Sequence, residues 1–176
     1  MKNRTSLVIG ALMISLLAGC SKRPMHSAWT SSDSMVVEPG VSVGPVHSGM
    51  TIQQVVAELG EPDQKQDAAL IYRKLGVALV PGHGDIVQTV LCSAGGDAEW
   101  KLPDGNTIFT KSFSGHTKEG IGIGARSAEV VKAYGKPTTV ESDQKLRLTI
   151  MRYDPLGVIF TLRDDKVVLI EVSFKP

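Results

Sequence analysis

Two cysteines and four histidines are the side chains on which this 176-residue chain could build nucleophilic, redox or metal chemistry. His26, His47, His83 and His116 are scattered, and none pairs with a Cys, Asp or Glu in a zinc-type spacing. His83 and Asp85, within Val80-Pro81-Gly82-His83-Gly84-Asp85, come nearest to a pair that could hold a divalent ion or touch a partner, although a hairpin tip explains them more simply. Gly120-Ile121-Gly122-Ile123-Gly124 imitates a phosphate-binding loop, but no Lys-Ser/Thr follows, and the isoleucines alternate like a strand entering a helix. Ser114 and His116, near Asp97 and Glu99 in sequence, lack the pattern of a nucleophile elbow. Asp164 and Asp165 read as turn residues rather than a catalytic acid pair. The chain therefore reads as a non-enzyme with no catalytic residues, no cofactor and no metal.

Cys20 differs because of what precedes it. Lys2 and Arg4 open the chain, residues 7–17 form an apolar run, and Leu17-Ala18-Gly19-Cys20 resembles the lipobox of bacterial lipoproteins. The run is shorter than the roughly 20 residues of a spanning helix, so it fits a cleaved export signal. Cleavage before Cys20 would expose a thiol and an amine that both receive lipid. At about 0.8 kcal/mol per buried CH₂, more than one acyl chain makes the anchor durable. Ser21 is not the aspartate associated with inner-membrane retention, which points to the outer membrane, facing the periplasm. Only Cys92 would remain as a thiol, so the expectation is a buried core cysteine and no intramolecular disulfide.

Removal of residues 1–19 leaves 157, enough for one ordinary domain or two small ones. The formal net charge of +1 includes Lys2 and Arg4, and without those two it is −1. No basic excess remains to attract nucleic acid or an anionic lipid surface. Residues 20–43 are serine-rich at first and show no helical or strand period, which predicts a tether. As a flexible coil of about 20 residues it would reach roughly 25 Å.

Beyond the tether, two stretches of the chain match. Gly49, Val55-Val56, Gly60 and Pro62 line up with Gly124, Val130-Val131, Gly135 and Pro137 at one offset. Tyr72, Leu75-Gly76-Val77 then match Tyr153, Leu156-Gly157-Val158 in the same order, and Val87 and Val90 match Val167 and Ile170 more weakly. Each stretch begins with helix signals. Thr51 and Gln54 have capping-box spacing, Val55, Val56 and Leu59 share a face, Gly60 suits a left-handed end and Pro62 blocks continuation. In the second, Ser127 is the expected cap, Val130, Val131 and Tyr134 point inward, and Gly135 and Pro137 are the stop. Strands are expected at 69–72, 77–80, 86–92, 146–153, 158–162 and 167–174, with turns at Asp164-Asp165 and at 102–106. The predicted class is α+β: two tandem modules, 44–117 and 118–176, each a helix followed by an antiparallel meander. In the last strand Val168, Ile170, Val172 and Phe174 would form one apolar face, and Val167, Leu169, Glu171 and Ser173 a mixed one.

A glycine, a short helix, a Gly-x-Pro stop and then Tyr-x-x-x-Gly-Val resembles the repeat of the β-lactamase inhibitory protein fold, and also the SmpA/OmlA-type outer-membrane lipoproteins. The tandem arrangement is nearer to the inhibitor and the anchor nearer to the lipoprotein, and the 80–85 stretch departs from a simple hairpin turn. The resemblance implies a lipid-anchored envelope protein that binds or scaffolds an envelope protein partner. No contact residue carries over from it. From the residues themselves, Trp100 beside a turn, together with His83 and Asp85, are the candidate contacts. The competing expectation is a metal-dependent ligand-binding protein or enzyme using the loop histidines.

Overall fold

A computed structural model describes residues 35–66, 68–95, 100–101, 107–108 and 111–175, the side chains of residues 100, 101, 107 and 108 excepted. Cys20 lies outside these residues, as does the predicted turn at 102–106. The described chain opens with β1 (Val36–Glu38), β2 (Ser42–Val43) and β3 (Val46–His47), which join β10 (His116–Thr117) in a small sheet ordered β10-β1-β2-β3. The helix α1 (Ile52–Leu59) follows, then β4 (Gln64–Gln66), β5 (Ala69–Tyr72), β6 (Val77–Pro81) and β7 (Val87–Ser93). A short ribbon pairs β8 (Trp100–Lys101) with β9 (Thr107–Ile108). The chain then enters α2 (Ser127–Tyr134) and returns through β11 (Thr139–Asp143), β12 (Leu148–Tyr153), β13 (Val158–Arg163) and β14 (Lys166–Ser173).

This organisation overturns the α+β class with two tandem modules. Strands dominate, and the α-helices among the described residues are eight residues each. The two meanders are one eight-stranded antiparallel sheet, β11-β12-β13-β14-β7-β6-β5-β4, closed in the middle where β14 pairs with β7 over five residue pairs. A strand edge left unpaired at Cys92 or Ile170 would present bare N–H and C=O groups, and joining the edges satisfies both at once. One buried cluster runs through the whole, from Val55 and Leu79 to Val130 and Phe160. Folded structure also starts earlier than expected. Residues 35–43, read as the end of the tether, supply β1 and β2, and Met35, Val37 and Val43 are buried.

The helices form for the reasons their termini suggest, with one exchange of partner. Thr51 caps α1: the Gln54 N–H donates to its Oγ1 at 3.3 Å, while its own N–H donates to Gln54 Oε1 at 2.8 Å. Ser127 does not cap α2 but is its first residue. Arg126 holds the cap position, its N–H donating to Glu129 Oε2 at 2.7 Å, and the Ser127 N–H and hydroxyl both turn to Asp165 on the β13–β14 hairpin. Gly60 and Gly135 end the helices at φ 84° and 76°, but their ψ values of −175° and −158° place them in an extended region open to glycine rather than in the left-handed well.

The register explains the core. Met151, Phe160, Ile170, Cys92 and Val77 are successive cross-strand neighbours, as are Tyr153, Val158, Val172, Val90, Leu79 and Leu70, and all are buried. A bulge at Val168 puts Val167 opposite Leu162 and turns Val167, rather than Val168, into the core. A matching register shift beside Gln88 does the same for Val87. On the helix side, Tyr134 of α2 lies 5.5 Å from Tyr153 and 5.4 Å from Phe160 between ring centroids. The Tyr153 hydroxyl donates to the Gly135 carbonyl at 3.0 Å, and Tyr72 makes the same bond to Gly60 at 3.0 Å.

Candidate functional site

With α1, α2 and the small sheet packed on one face of the large sheet, the alternate side chains form the other. A single cross-strand row on that face runs Thr139, Arg152, Ile159, Glu171, Leu91, Ala78, Ile71 and Gln64, one residue from each of the eight strands. Beside it lie Ile150, Thr161 and Leu169. From Arg152 to Ala78, and at these three neighbours, the side chains are half-buried, and the apolar ones lie outside the core cluster. Ile71, further along, is fully buried.

Charge on this face is sparse and placed among hydrocarbon. The Arg152 guanidinium meets Glu141 of β11, Nε to Oε1, at 3.1 Å. Glu171 is flanked across the strands by Ile159 and Leu91, and burial lifts its carboxyl above the ordinary value, with Arg152 offsetting part of the rise. The arrangement can bury apolar surface against another molecule and pair Glu171 with a cation. It offers no nucleophile with a base beside it.

The residues singled out from sequence are dispersed. His83 and Asp85 lie in an exposed 3₁₀ turn between β6 and β7, with Gly84 at φ 70° and Asp85 at φ 58°. His83 lines a cavity of about 430 Å³ beside that turn, whereas His116 lines a polar recess next to Gly122 and Glu129. The two therefore do not converge. Among the described residues no group of three or more His, Cys, Asp or Glu side chains could hold a metal ion. The backbone of Trp100 pairs with Ile108, and its side chain lies outside the described structure. Cys92 is fully buried, and burial alone raises its thiol far above the usual range, the property of an inert core cysteine. Gly120–Gly124 is no strand: Ile121 is buried, Ile123 packs on the core, and His116 and Gly122 form an isolated bridge.

Arg152, Ile159 and Leu91 were missed as site residues. The alternation of the last strand signals Glu171 on a mixed face, but nothing in sequence shows which residues of β12, β13 and β7 stand beside it.

No protein family and no curated protein matches this chain. Among solved structures it is similar to a DUF4309 family protein, YjgB, from Bacillus subtilis, at 11% identity and a TM-score of 0.48, over 76% of this chain and 84% of that one. Among the described residues no helix is long and apolar enough to cross a membrane.

Proposed function

We propose that this is a lipid-anchored bacterial envelope protein, held through Cys20 at the periplasmic face of the outer membrane, that acts without catalysis by binding an envelope protein partner on the open face of its sheet. The observation that carries the proposal is the half-buried row from Arg152 through Ile159 and Glu171 to Leu91, which packs against no helix among the described residues and combines aliphatic side chains with an arginine and a carboxylate. The half-buried part of that face crosses five neighbouring strands, from β12 to β6, about 19 Å at about 4.8 Å spacing. The exposed turn with His83 and Asp85, and the ribbon that begins at Trp100, supply further contacts. The anchor rests on the Leu17-Ala18-Gly19-Cys20 signature, and the residues that follow it tether the folded part to the bilayer.

Two experiments test the two halves separately. With Cys20→Ser, incorporation of a palmitate analogue and recovery in the membrane fraction are lost; unchanged labelling refutes the anchor. Crosslinking in intact envelopes followed by affinity capture recovers a specific protein with the parent chain and not with Ile159→Asp, while both melt at similar temperatures and Lys132→Glu on α2 captures as the parent does. Identical captures from all three chains refute the open face as the binding surface.

A further inference from the structure

The cavity beside the β6–β7 turn has features that the partner-binding face does not use. Its floor is apolar and fixed: Val87 and Phe174 are 1% and 5% exposed, and the Phe174 N–H donates to the Gln88 carbonyl at 2.8 Å. Its mouth is held by Ile86, which is 42% exposed yet anchored, since it bridges Thr51 and its carbonyl accepts from the Gly82 N–H at 2.8 Å. An exposed isoleucine on a clamped backbone is hydrocarbon kept in contact with water. Gly49 adds no side chain to the wall, and a Cβ there would meet open space.

The polar side chains that line the cavity are Ser48, His83, Gln88 and Lys175, and no carboxylate lines it among the described residues. Lys175 Nζ donates to the Pro155 carbonyl at 2.9 Å, which occupies one of its three N–H groups, and the flexible stem lets the other two turn toward a ligand. The volume, about 430 Å³, is within the range of small-molecule sites and is far larger than a bound ion needs.

We infer that this cavity binds an anionic amphiphile, a single aliphatic chain ending in a carboxylate or a phosphate, with the chain on Ile86, Val87 and Phe174 and the head group on Lys175 and His83. The apolar floor accounts for the chain, and Lys175, with no carboxylate lining the cavity among the described residues, accounts for the sign of the head group. A neutral chain would gain only the burial, and a cation would meet like charge. The site shares the His83 turn with the contacts proposed for the partner but lies off the open sheet face, and its apolar floor does not depend on the partner-binding reading.

The full chain carrying Cys20→Ser, which has no acyl group of its own to compete, is titrated calorimetrically with dodecanoate and dodecyl phosphate below their micelle concentrations and with dodecanol below its solubility limit. Saturable one-to-one binding is expected for at least one anion, with dodecanol weaker by about tenfold or more. The tighter of the two anions identifies the head group as carboxylate or phosphate. Lys175→Glu should weaken the anion by about tenfold or more without altering dodecanol, and Ile86→Glu should weaken all three. Amide shifts on titration of the unaltered cavity should centre on Gly49, Ile86 and Phe174, which keeps the test independent of whether the variants fold. Equal binding of the neutral and anionic chains, shifts centred elsewhere, or partition into anionic vesicles without saturable binding of the monomeric amphiphile overturns the inference.

Discussion

Glu171 is the side chain whose surroundings demand most of it. Its carboxyl is half-buried between Ile159 and Leu91, and burial raises its folded-state pKa above the ordinary value of 4.5. A carboxyl with a raised folded pKa holds its proton more tightly in the fold than in the unfolded chain. Its contribution to stability is therefore complete at acid pH and is lost as pH rises through the folded value. Glu171→Gln, which cannot ionise, should match the parent in urea unfolding near pH 4 and be more stable near pH 7. A difference that does not grow with pH contradicts the burial. The tyrosine hydroxyls are a second residue-scale device. Tyr72 and Tyr153 each tie the carbonyl of a helix-ending glycine to the sheet at 3.0 Å. Phenylalanine at either position keeps the ring and removes the bond, and should cost about 1 kcal/mol in chemical denaturation.

At the scale of elements, the two short helices are held from outside as much as by their own caps. Eight residues are too few for an isolated helix, so Val55 and Val130 on the sheet and the two glycine stops decide their extent. Because Gly60 and Gly135 combine positive φ with ψ near 180°, alanine meets no steric neighbour but a strained backbone. Each substitution should cost about 1–3 kcal/mol, read from denaturation midpoints, which exceeds the penalty for an ordinary left-handed position. The start of α2 depends on another element altogether. The Ser127 hydroxyl and N–H hold the Asp165 carboxylate, and the hydroxyl contact, more than the backbone one, lowers its pKa. A carboxylate with a depressed folded pKa stabilises above its unfolded value and loses that effect as pH falls through the folded one. Asp165→Asn should therefore be less stable than the parent at neutral pH, and the gap should close in acid. Helical content that persists while the hairpin loosens would show that α2 does not need the Ser127–Asp165 contact.

For the whole molecule, the junction of β14 with β7 has a consequence for cooperativity. The five pairs from Leu169–Ser93 to Ser173–Thr89 lie in the middle of the sheet, and Ile170 and Cys92, which face each other there, are both fully buried. A single thermal transition is expected, with calorimetric and van't Hoff enthalpies equal. A fragment of residues 118–176 should fail to fold alone, because the β14 edge and Ile170 would be left bare. Two separated transitions, or a folded fragment with native-like dispersion in its spectra, would contradict the single core.

Local features were legible where neighbours in sequence are also neighbours in space. Thr51, Gln54, Gly60 and Gly135 mark the helices because caps and stops act within one turn, and Asp164-Asp165 marks a hairpin because two adjacent residues must both take positive φ. Even the spacing of three at Val87 and Val90, and again at Val167 and Ile170, carried information: it is the signature of an extra residue in each strand, at Gln88 and Val168. The short edge strands β4 and β11, and the strands at 36–38 and 42–43, left no such trace, since Gln64–Gln66 and the wholly exposed Thr139–Asp143 have no apolar alternation to read. What only tertiary structure decided is which strand edges meet. Hydrogen bonding across an edge is the same whatever the side chains, so the sequence did not reveal that β7 and β14 would join two meanders into one sheet. That joining is also what brings Arg152, Ile159, Glu171 and Leu91 into one row, because a face spanning several strands exists only once the register between distant segments is set.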